Sequence, residues 1–328
     1  YIEGGRYVKK ILKSLDYMII IISILLFGIG IIALYSANGG VNGDTSEVTK
    51  QIVWFLVGIA GMIVVLMIDY DLLGKLWIPI YILTILSLIA VLFTPPINGA
   101  TSWFNIGPFS FQPAEFAKIA VVLFMANVMV KLQQKGREEI NRFCKLGIIL
   151  ATVAVPTLLI IKQPDYGTAL AFLVALIFML YVAGINKKYI ITAVLLVVIL
   201  VPLAYFFILP EHAKARIDVY LNPNLDPRGD GYNIIQSKLA IGAGQIFGMG
   251  LFKGNQTQLG YLYPKTTDFI FAVISEEMGF VVAGAIIVLY VILITKSIQV
   301  AKTAKDDLGS YIATGIVGIF FFHMLENI

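Results

Sequence analysis

Residues 17–37 form the run YMIIIISILLFGIGIIALYSA, which carries no charged side chain and has about the 20 residues that a helix needs to cross a bilayer. Runs of the same kind recur at residues 51–68, 76–93, 114–130, 146–161, 166–185, 189–209, 269–295 and 308–328. The chain is therefore predicted to be an all-α polytopic membrane protein with about nine transmembrane helices.

The composition agrees with a chain whose main solvent is lipid. Hydrophobic residues make up 59% of the 328 residues and charged residues only 13%, which is roughly half the charge of an average soluble domain. The single cysteine, Cys144, excludes an internal disulfide, and His212 and His323 are too isolated for a zinc site of the usual ligand number. The glycine-rich residues 242–254 lack the spacing of a phosphate-binding loop, and the net charge of +4 is small for this length. Neither a nucleotide nor a nucleic-acid ligand is predicted.

The orientation follows from the distribution of Lys and Arg over the loops. If the N-terminus is cytoplasmic, that side carries 15 of the 24 Lys and Arg residues, including a basic stretch before the first run. The other side carries eight, and six of these lie in one long segment. The positive-inside rule, by which Lys and Arg favour cytoplasmic loops, is weak for such long segments. The first run is too long for a cleavable signal and lacks a small-residue cleavage site. We therefore expect a cytoplasmic N-terminus and a permanent first helix.

The long segment, residues 211–268, separates the seventh and eighth runs and is out of proportion to the other loops. It is predicted to be an extracellular loop that carries function. Within it, the stretch from Tyr232 to Phe252 is fairly apolar but is interrupted by Lys238 and several glycines. We interpret this stretch as an interfacial or re-entrant element, since counting it as a span would place the basic residues 296–305 outside.

Ionisable side chains inside a span cost a few kcal/mol each, so they normally face a cavity or one another. Four of them are candidates here, Glu115 and Lys118 in the fourth run and Glu276 and Glu277 in the eighth. Glu115 and Lys118 share one helix face and can form an ion pair, either as a wall of a substrate cavity or only as a packing contact. Glu276 and Glu277 are adjacent and cannot both face one partner, which makes one of them a structural residue.

Asp268 begins the eighth run at the predicted outer interface. It can be a simple helix N-cap, a role for which aspartate is well suited. It can equally be a partly desolvated carboxylate that takes a proton from an attacking hydroxyl group, and the residues alone leave both roles open. Asp165 follows Pro164 and precedes the sixth run, where the capping role is favoured.

Other side chains on the predicted outer side suit a polar lipid headgroup. Trp103 and Phe104 can form a flat surface for a sugar, although aromatic residues also populate membrane interfaces. The basic residues of the long segment are candidates for binding phosphate, and they are Lys214, Arg216, Arg228, Lys238, Lys253 and Lys265.

Six groups of residues form recognisable motifs along the chain. They are Asn98-Gly99-Ala100 with Trp103; Phe111-Gln112-Pro113-Ala114-Glu115-Phe116-Ala117-Lys118; Lys162-Gln163-Pro164-Asp165-Tyr166-Gly167-Thr168-Ala169-Leu170; Asp226-Pro227, Gly231-Tyr232 and Gln236-Ser237; Gln256-Thr257-Gln258-Leu259-Gly260; and Thr267-Asp268-Phe269-Ile270-Phe271-Ala272-Val273 with Glu276-Glu277-Met278-Gly279. In this order, and over nearly the whole chain, they resemble the SEDS family of bacterial cell-envelope proteins. Gln163 and the Gln-Thr-Gln-Leu run are most similar to its elongation branch, whereas Ser102 stands where many relatives carry arginine.

The resemblance implies a ten-helix fold for a complete family member, so that residues 1–328 would form a single SEDS-type transmembrane domain. It also implies a peptidoglycan glycosyltransferase that polymerises lipid II, an undecaprenyl-pyrophosphate disaccharide, outside the cytoplasmic membrane during cell elongation. The implied partners are a class B penicillin-binding protein, which is a transpeptidase, and other membrane proteins of the elongation complex. The division and sporulation branches of the family remain alternatives.

In this family Asp268 falls on the essential aspartate. The matching motifs also make Gln112, Asp165 and Gln258 candidates for substrate binding. An α-linked pyrophosphoryl donor that yields a β-linked glycan requires inversion, and therefore one base for the acceptor hydroxyl group. Asp268 is the predicted base.

The leaving pyrophosphate requires positive charge, for which Lys265 and the other Lys and Arg residues of the long segment are candidates. Lys118 is a further candidate, although an ion pair with Glu115 would compete for its charge. A divalent cation such as magnesium or manganese is also possible, since oxygen ligands need no His or Cys cluster. We expect Glu115 and Lys118 to line the lipid II cavity and to face Asp268 across it, since all three lie near the outer ends of their spans.

Two other classes of function are compatible with these residues. A lipid II flippase would use buried charges along a translocation path, but a transporter concentrates its chemistry at the bilayer midplane, whereas the motifs here cluster on the predicted outer side. A scaffold that only positions its partner is the other alternative.

Overall fold

The computed structural model describes residues 14–40, 43–68, 70–96, 101–106, 109–207, 211–229 and 231–328. The motif at residues 98–100 and the basic stretch at residues 6–13 lie outside the described residues. The chain divides into two compact units, with boundaries after Ile63, Ile190, Leu293 and Glu326. Unit 1 contains residues up to 63, residues 191–293 and the last two residues, and unit 2 contains residues 64–190 and 294–326. The single domain expected from the sequence stays a prediction.

The helices, in chain order, are α1 (Tyr17–Ala37), α2 (Ser46–Met67), α3 (Tyr70–Val91), α4 (Pro113–Leu132), α5 (Phe143–Ile161), α6 (Tyr166–Ala183), α7 (Lys187–Phe207), α8 (Glu211–Leu221), α9 (Tyr232–Ala243), α10 (Asn255–Gln258), α11 (Ile270–Lys302) and α12 (Asp307–Asn327). Short 3-10 helices cover Arg137–Asn141 and Pro223–Leu225. Strands β1 (Phe104–Ile106) and β2 (Phe109–Phe111) form an antiparallel hairpin before α4. In the described part of the chain, nine of the helices are long and apolar enough to cross a membrane. The predicted fold class and the predicted spans are therefore confirmed.

Unit 2 is built around α4, which is the most enclosed of the long helices. Small residues allow other helices to approach it and one another closely, as is usual where helices pack in lipid. A Cβ atom on Gly315 of α12 would lie 2.5 Å from Val122 of α4, and one on Gly318 would lie 2.7 Å from the Cα atom of Ala175 in α6. These contacts hold α12 against α4 and α6.

Unit 1 contains residues 211–268, which the sequence predicts to be one long loop. The structure instead folds this segment into the three short helices α8, α9 and α10, joined by turns. Helix α9 begins at Tyr232 and ends at Ala243, and it accounts for the apolar half of the stretch from Tyr232 to Phe252. The side of the membrane on which the segment lies stays a prediction.

Helix α11 is broken at Gly279, where φ is 76° and ψ is −178°. Residues 245–250 lie against this break and pair with the backbone groups that the missing helical turn leaves free. Four hydrogen bonds of 2.9–3.1 Å join the two segments, from Met249 N–H to Glu276 O, Gly250 N–H to Glu277 O, Phe280 N–H to Gln245 O and Val281 N–H to Ile246 O. The irregular backbone thus satisfies its polar groups within the protein. The interfacial or re-entrant position of this stretch stays a prediction.

Replacement of Gly279 by alanine is expected to destabilise the protein. The backbone conformation at Gly279 is almost restricted to glycine, with a cost of about 1–3 kcal/mol for other residues, and a Cβ atom there would lie 2.2 Å from Gly248 N. The matched control is Gly284→Ala in the same helix, because its new Cβ atom meets no atom within 4 Å. We expect a lower midpoint of thermal unfolding in detergent for Gly279→Ala only. Equal midpoints for the two variants would contradict the broken helix.

Candidate functional site

Asp268 lies in a turn of unit 1, two residues before α11 begins at Ile270, and its side chain is exposed. Backbone hydrogen bonds from Phe269 N–H to Pro264 O and from Ile270 N–H to Thr267 O shape this turn. Among the described residues, no hydrogen bond or ion pair engages the Asp268 carboxylate. The capping alternative is therefore not what the structure shows, and the role of Asp268 as a base stays a prediction.

The first buried carboxylate of α11, that of Glu276, is fully buried and is surrounded by neutral donors. It accepts hydrogen bonds from Gln256 N–H at 2.7 Å, from Thr257 N–H at 3.0 Å and from the Thr257 hydroxyl group at 2.6 Å. A Cβ atom on Gly254 would lie 2.5 Å from Glu276 Oε2, so only glycine leaves room for the carboxylate there. Glu276 thus anchors α10 to the broken helix.

The second buried carboxylate, that of Glu277, faces a different set of groups. It accepts a short hydrogen bond from the Ser36 hydroxyl group at the end of α1, and another from Gln258 Nε2 at 2.8 Å. The Ser36 hydroxyl oxygen in turn accepts from Phe252 N–H at 2.8 Å. The expectation that Glu276 and Glu277 have different partners is confirmed. Both carboxylates, and not only one of them, hold packing contacts in the structure, because burial of a charge requires such donors.

Two predicted substrate-binding residues, Gln258 and Lys265, take part in the same packing. The Gln258 amide nitrogen donates to Glu277 and also to the backbone oxygen of Ser36 at 3.0 Å, so both of its protons are used. Lys265 Nζ donates to Thr257 O at 2.9 Å, and its other two N–H groups have no acceptor in the described part of the chain. Substrate binding by Gln258 and Lys265 stays a prediction, and the geometry favours Lys265.

In unit 2, Glu115 and Lys118 form the expected ion pair, with 2.9 Å between Glu115 Oε1 and Lys118 Nζ. The Lys118 side chain is only 9% exposed, whereas that of Glu115 is 55% exposed. The same ammonium group lies 2.8 Å from His323 Nε2 of α12. The other ring nitrogen, His323 Nδ1, lies 3.2 Å from Glu326 Oε2. We call these four residues the α4–α12 network.

Asp165 caps α6 as predicted, since its carboxylate accepts a hydrogen bond from Thr168 N–H at 3.1 Å. Its second oxygen accepts from Gln112 Nε2 at 2.9 Å. Gln112 precedes α4 and makes no capping hydrogen bond with its side chain, so its amide group instead joins the beginnings of α4 and α6. The cap explains Asp165 structurally, and substrate binding by Gln112 and Asp165 stays a prediction.

Trp103 lies directly before the hairpin β1–β2 and is 36% exposed. The residue before it, Ser102, is buried and donates a hydrogen bond from its hydroxyl group to Gln163 O at 3.1 Å. Ser102 therefore has a packing role in the structure. The exposed indole is compatible with a sugar surface, which stays a prediction.

His323 and Glu326 were not among the site residues predicted from the sequence, where His323 was considered only as a zinc ligand. One signal was available, since His323 and Glu326 are three residues apart in the last run and share a helix face, as Glu115 and Lys118 do. Ser36 and Thr257 were also missed, and no local pattern distinguishes them from other hydroxyl residues. The expected approach of the Glu115–Lys118 pair to Asp268 would join residues of different units, and it stays a prediction.

The family model described as "Cell cycle protein", which covers FtsW, RodA and SpoVE, matches residues 16–328. Peptidoglycan glycosyltransferase MrdB of Escherichia coli strain K12 is 35% identical over 317 residues, which cover 96% of this chain and 83% of that protein. The probable peptidoglycan glycosyltransferase FtsW of Trichlorobacter lovleyi is 33% identical over 324 residues, which cover 96% of this chain and 84% of that protein.

Solved structures share the fold. One is described as "Structural coordination of polymerization and crosslinking by a peptidoglycan synthase complex", and it matches 96% of this chain and 86% of its own with a TM-score of 0.81 and 25% identity. The rod shape determining protein RodA of Thermus thermophilus matches 95% of this chain and 83% of its own with a TM-score of 0.68 and 23% identity. The match over residues 16–328 shows that this multi-pass membrane protein belongs to the SEDS family, the family of FtsW, RodA and the stage V sporulation protein E.

Proposed function

We propose that this protein is a peptidoglycan glycosyltransferase that polymerises lipid II into glycan strands at the outer face of the bacterial cytoplasmic membrane. The observation that carries the proposal is the Asp268 carboxylate, which is exposed at the start of a membrane helix and unpaired within the described residues. A carboxylate of this kind can act as a general base. Relatives named peptidoglycan glycosyltransferases support the assignment.

Asp268 is the proposed base in a single inverting displacement. The acceptor hydroxyl oxygen attacks the anomeric carbon of the donor sugar, and its proton passes to the Asp268 carboxylate. The bond between the anomeric carbon and the pyrophosphate oxygen breaks, and its electron pair leaves with undecaprenyl pyrophosphate. A positioned base of this type contributes about 10²- to 10⁴-fold to a reaction rate.

Lys118 and Lys265 are the proposed partners of the leaving pyrophosphate. Lys118 donates one proton to Glu115 and shares another with His323, and an ammonium group has three N–H bonds. The third N–H of Lys118 has no acceptor among the described residues, so it is available to an anionic oxygen. Two N–H groups of Lys265 likewise have no acceptor among the described residues.

A divalent cation is the remaining candidate for charge at the pyrophosphate. Among the described residues, no three His, Cys, Asp or Glu side chains are grouped as a metal site. Magnesium commonly uses only one or two carboxylates and otherwise binds water and substrate phosphates. A magnesium or manganese ion bound mainly by the pyrophosphate therefore remains a proposal that the lysine residues do not require.

We assign the protein to the elongation branch, with a cytoplasmic N-terminus and a role in rod shape. The motif around Gln163 supports this assignment, whereas the similarities to MrdB and to FtsW are nearly equal and do not separate the branches. A class B penicillin-binding protein, which crosslinks the strands, is the proposed partner, together with other membrane proteins of the elongation complex. The fold shared with a polymerising and crosslinking complex supports the partner.

Transport of lipid II is the rival function, and the structure removes part of its support. Glu276 and Glu277 were the buried charges deepest in a span, and a flippase would need such groups along an open path. In the structure both carboxylates bind neutral donors of residues 36 and 254–258. Their role in packing explains their burial without a translocation path.

The purified protein should convert labelled lipid II into glycan polymer in detergent or in liposomes. Gel separation of the products by length measures the reaction, and an Asp268→Asn preparation measures any contaminating polymerase. Movement of lipid II across liposomes without polymer would instead support a flippase. Polymer that forms only when an active partner enzyme is added, and that is unaffected by Asp268→Asn, would support a scaffold.

A further inference from the structure

The contact between Lys118 and His323 restricts which imidazole nitrogen donates a hydrogen bond and which one accepts. The distance of 2.8 Å between Lys118 Nζ and His323 Nε2 requires one proton between the two nitrogen atoms. A charged ammonium group has donors only. Lys118 Nζ also lies 2.9 Å from the Glu115 carboxylate, which only accepts hydrogen bonds. Lys118 is therefore the donor in both contacts, and His323 Nε2 is the acceptor.

The other ring nitrogen meets the complementary condition. With Nε2 as the acceptor, the proton of a neutral His323 lies on Nδ1, which is 3.2 Å from Glu326 Oε2. A carboxylate at that distance accepts this proton and holds the ring in the required tautomer and orientation. Glu326 is itself confined, since a Cβ atom on Gly167 at the start of α6 would lie 2.1 Å from Glu326 Oε1.

The network therefore supports the ammonium group from two sides. Glu115 holds it through its own helix, α4, three residues earlier, and His323 holds it from α12. The Lys118 side chain is 9% exposed, and two of its N–H groups are directed by these acceptors. The direction of the third N–H is then fixed as well, because the three bonds of an ammonium group have tetrahedral geometry.

We propose that His323 is a positioning residue for Lys118, whose remaining N–H group it directs toward an anionic oxygen of the substrate. The inference rests on the proposed function, because that oxygen is taken to belong to the leaving pyrophosphate. His323 does not touch the substrate, and its effect passes entirely through Lys118. A misplacement of a positioned group by 1 Å can cost about 10²-fold in rate.

Three replacements of His323 separate positioning from packing. His323→Gln places an amide oxygen near the position of Nε2 and keeps an acceptor for Lys118. His323→Phe keeps a planar ring but has no acceptor, and His323→Asn keeps an amide oxygen that is too short to reach Lys118. We expect His323→Gln to retain at least about a third of the rate, and His323→Phe and His323→Asn to lose about 10- to 100-fold.

The division of the loss between kinetic constants gives a second measurement. Charge on the leaving group develops in the transition state, so kcat should fall more than KM for lipid II rises. The decisive measurement is a double-mutant cycle, in which His323→Phe is combined with Lys118→Ala. A residue that acts only through Lys118 should cause no further loss when Lys118 is absent.

The outcomes distinguish this inference from the function on which it rests. Absence of polymer with the wild-type protein would refute the proposed function, and a fully active Lys118→Ala variant would refute the role of Lys118. With both established, an active His323→Phe variant, equal losses for His323→Gln and His323→Asn, or additive losses with Lys118→Ala would each overturn the positioning role. If His323→Phe does not fold, as judged by thermal unfolding, the cycle is measured with His323→Asn.

Discussion

Replacement of Asp268 by asparagine or alanine is expected to abolish glycan polymerisation while the protein still folds. Loss of a positioned general base lowers a rate by about 10²- to 10⁴-fold, and asparagine has nearly the same shape but no basic carboxylate. The side chain is exposed and has no hydrogen bond or ion pair with the described residues. Such surface changes alter the free energy of unfolding by no more than about 0.5 kcal/mol. The measurements are polymer formation from labelled lipid II and the midpoint of thermal unfolding.

Asp44→Asn is the matched control for this experiment. Asp44 is an exposed aspartate between α1 and α2, and it accepts hydrogen bonds from Ser46 N–H at 2.8 Å and from the Ser46 hydroxyl group at 2.9 Å. These hydrogen bonds keep the pKa of the Asp44 carboxyl group below its ordinary value. Asp44 is predicted to lie on the same side of the membrane as Asp268, which makes it a matched position. Because it belongs to none of the six motifs, its replacement should leave polymerisation unchanged. Polymer synthesis at the wild-type rate by Asp268→Ala would remove Asp268 as the base.

Exchange of the two charges in the double variant Glu115→Lys with Lys118→Glu is expected to stop polymerisation as completely as Lys118→Ala does. The exchange keeps the attraction between the two residues, so a purely structural pair should tolerate it. It moves the ammonium group away from His323, however, and places a carboxylate where the anionic oxygen should bind. Removal of an electrostatic donor to developing negative charge costs about 10²- to 10³-fold in kcat.

The surface pair Arg137–Asp307 provides the control for this exchange. Its two side chains are 64% and 50% exposed and 2.7 Å apart, and an exposed pair is worth no more than about 1 kcal/mol. The double variant Arg137→Asp with Asp307→Arg should therefore polymerise lipid II normally. Near-normal polymerisation by a folded Glu115→Lys, Lys118→Glu protein would assign that pair to helix packing alone.

Features that depend on one element or on neighbouring residues could be predicted from the amino-acid sequence. The nine spans follow from the length of apolar chain that a bilayer requires, and the structure has helices at all of them. The ion pair of Glu115 with Lys118 follows from their spacing on one helix face, and the cap at Asp165 follows from a carboxylate before a helix. The short helices in residues 211–268 could not be predicted in the same way, because brief helices depend on packing more than on propensity.

The contacts between polar groups of different elements could not be predicted from the sequence and are seen only in the folded structure. The Ser36 hydroxyl group reaches Glu277 over 241 residues of chain, and Lys118 reaches His323 over 205 residues. Helical periodicity identifies residues that share a face of one helix, but it contains no information about the helix that packs against that face. Likewise, Gly279 is recognisable as a glycine inside a run, whereas the break it permits is stable only because residues 245–250 satisfy the freed backbone groups. The partners of buried charges therefore came from packing, because burial makes each charge depend on whichever donors the neighbouring elements supply.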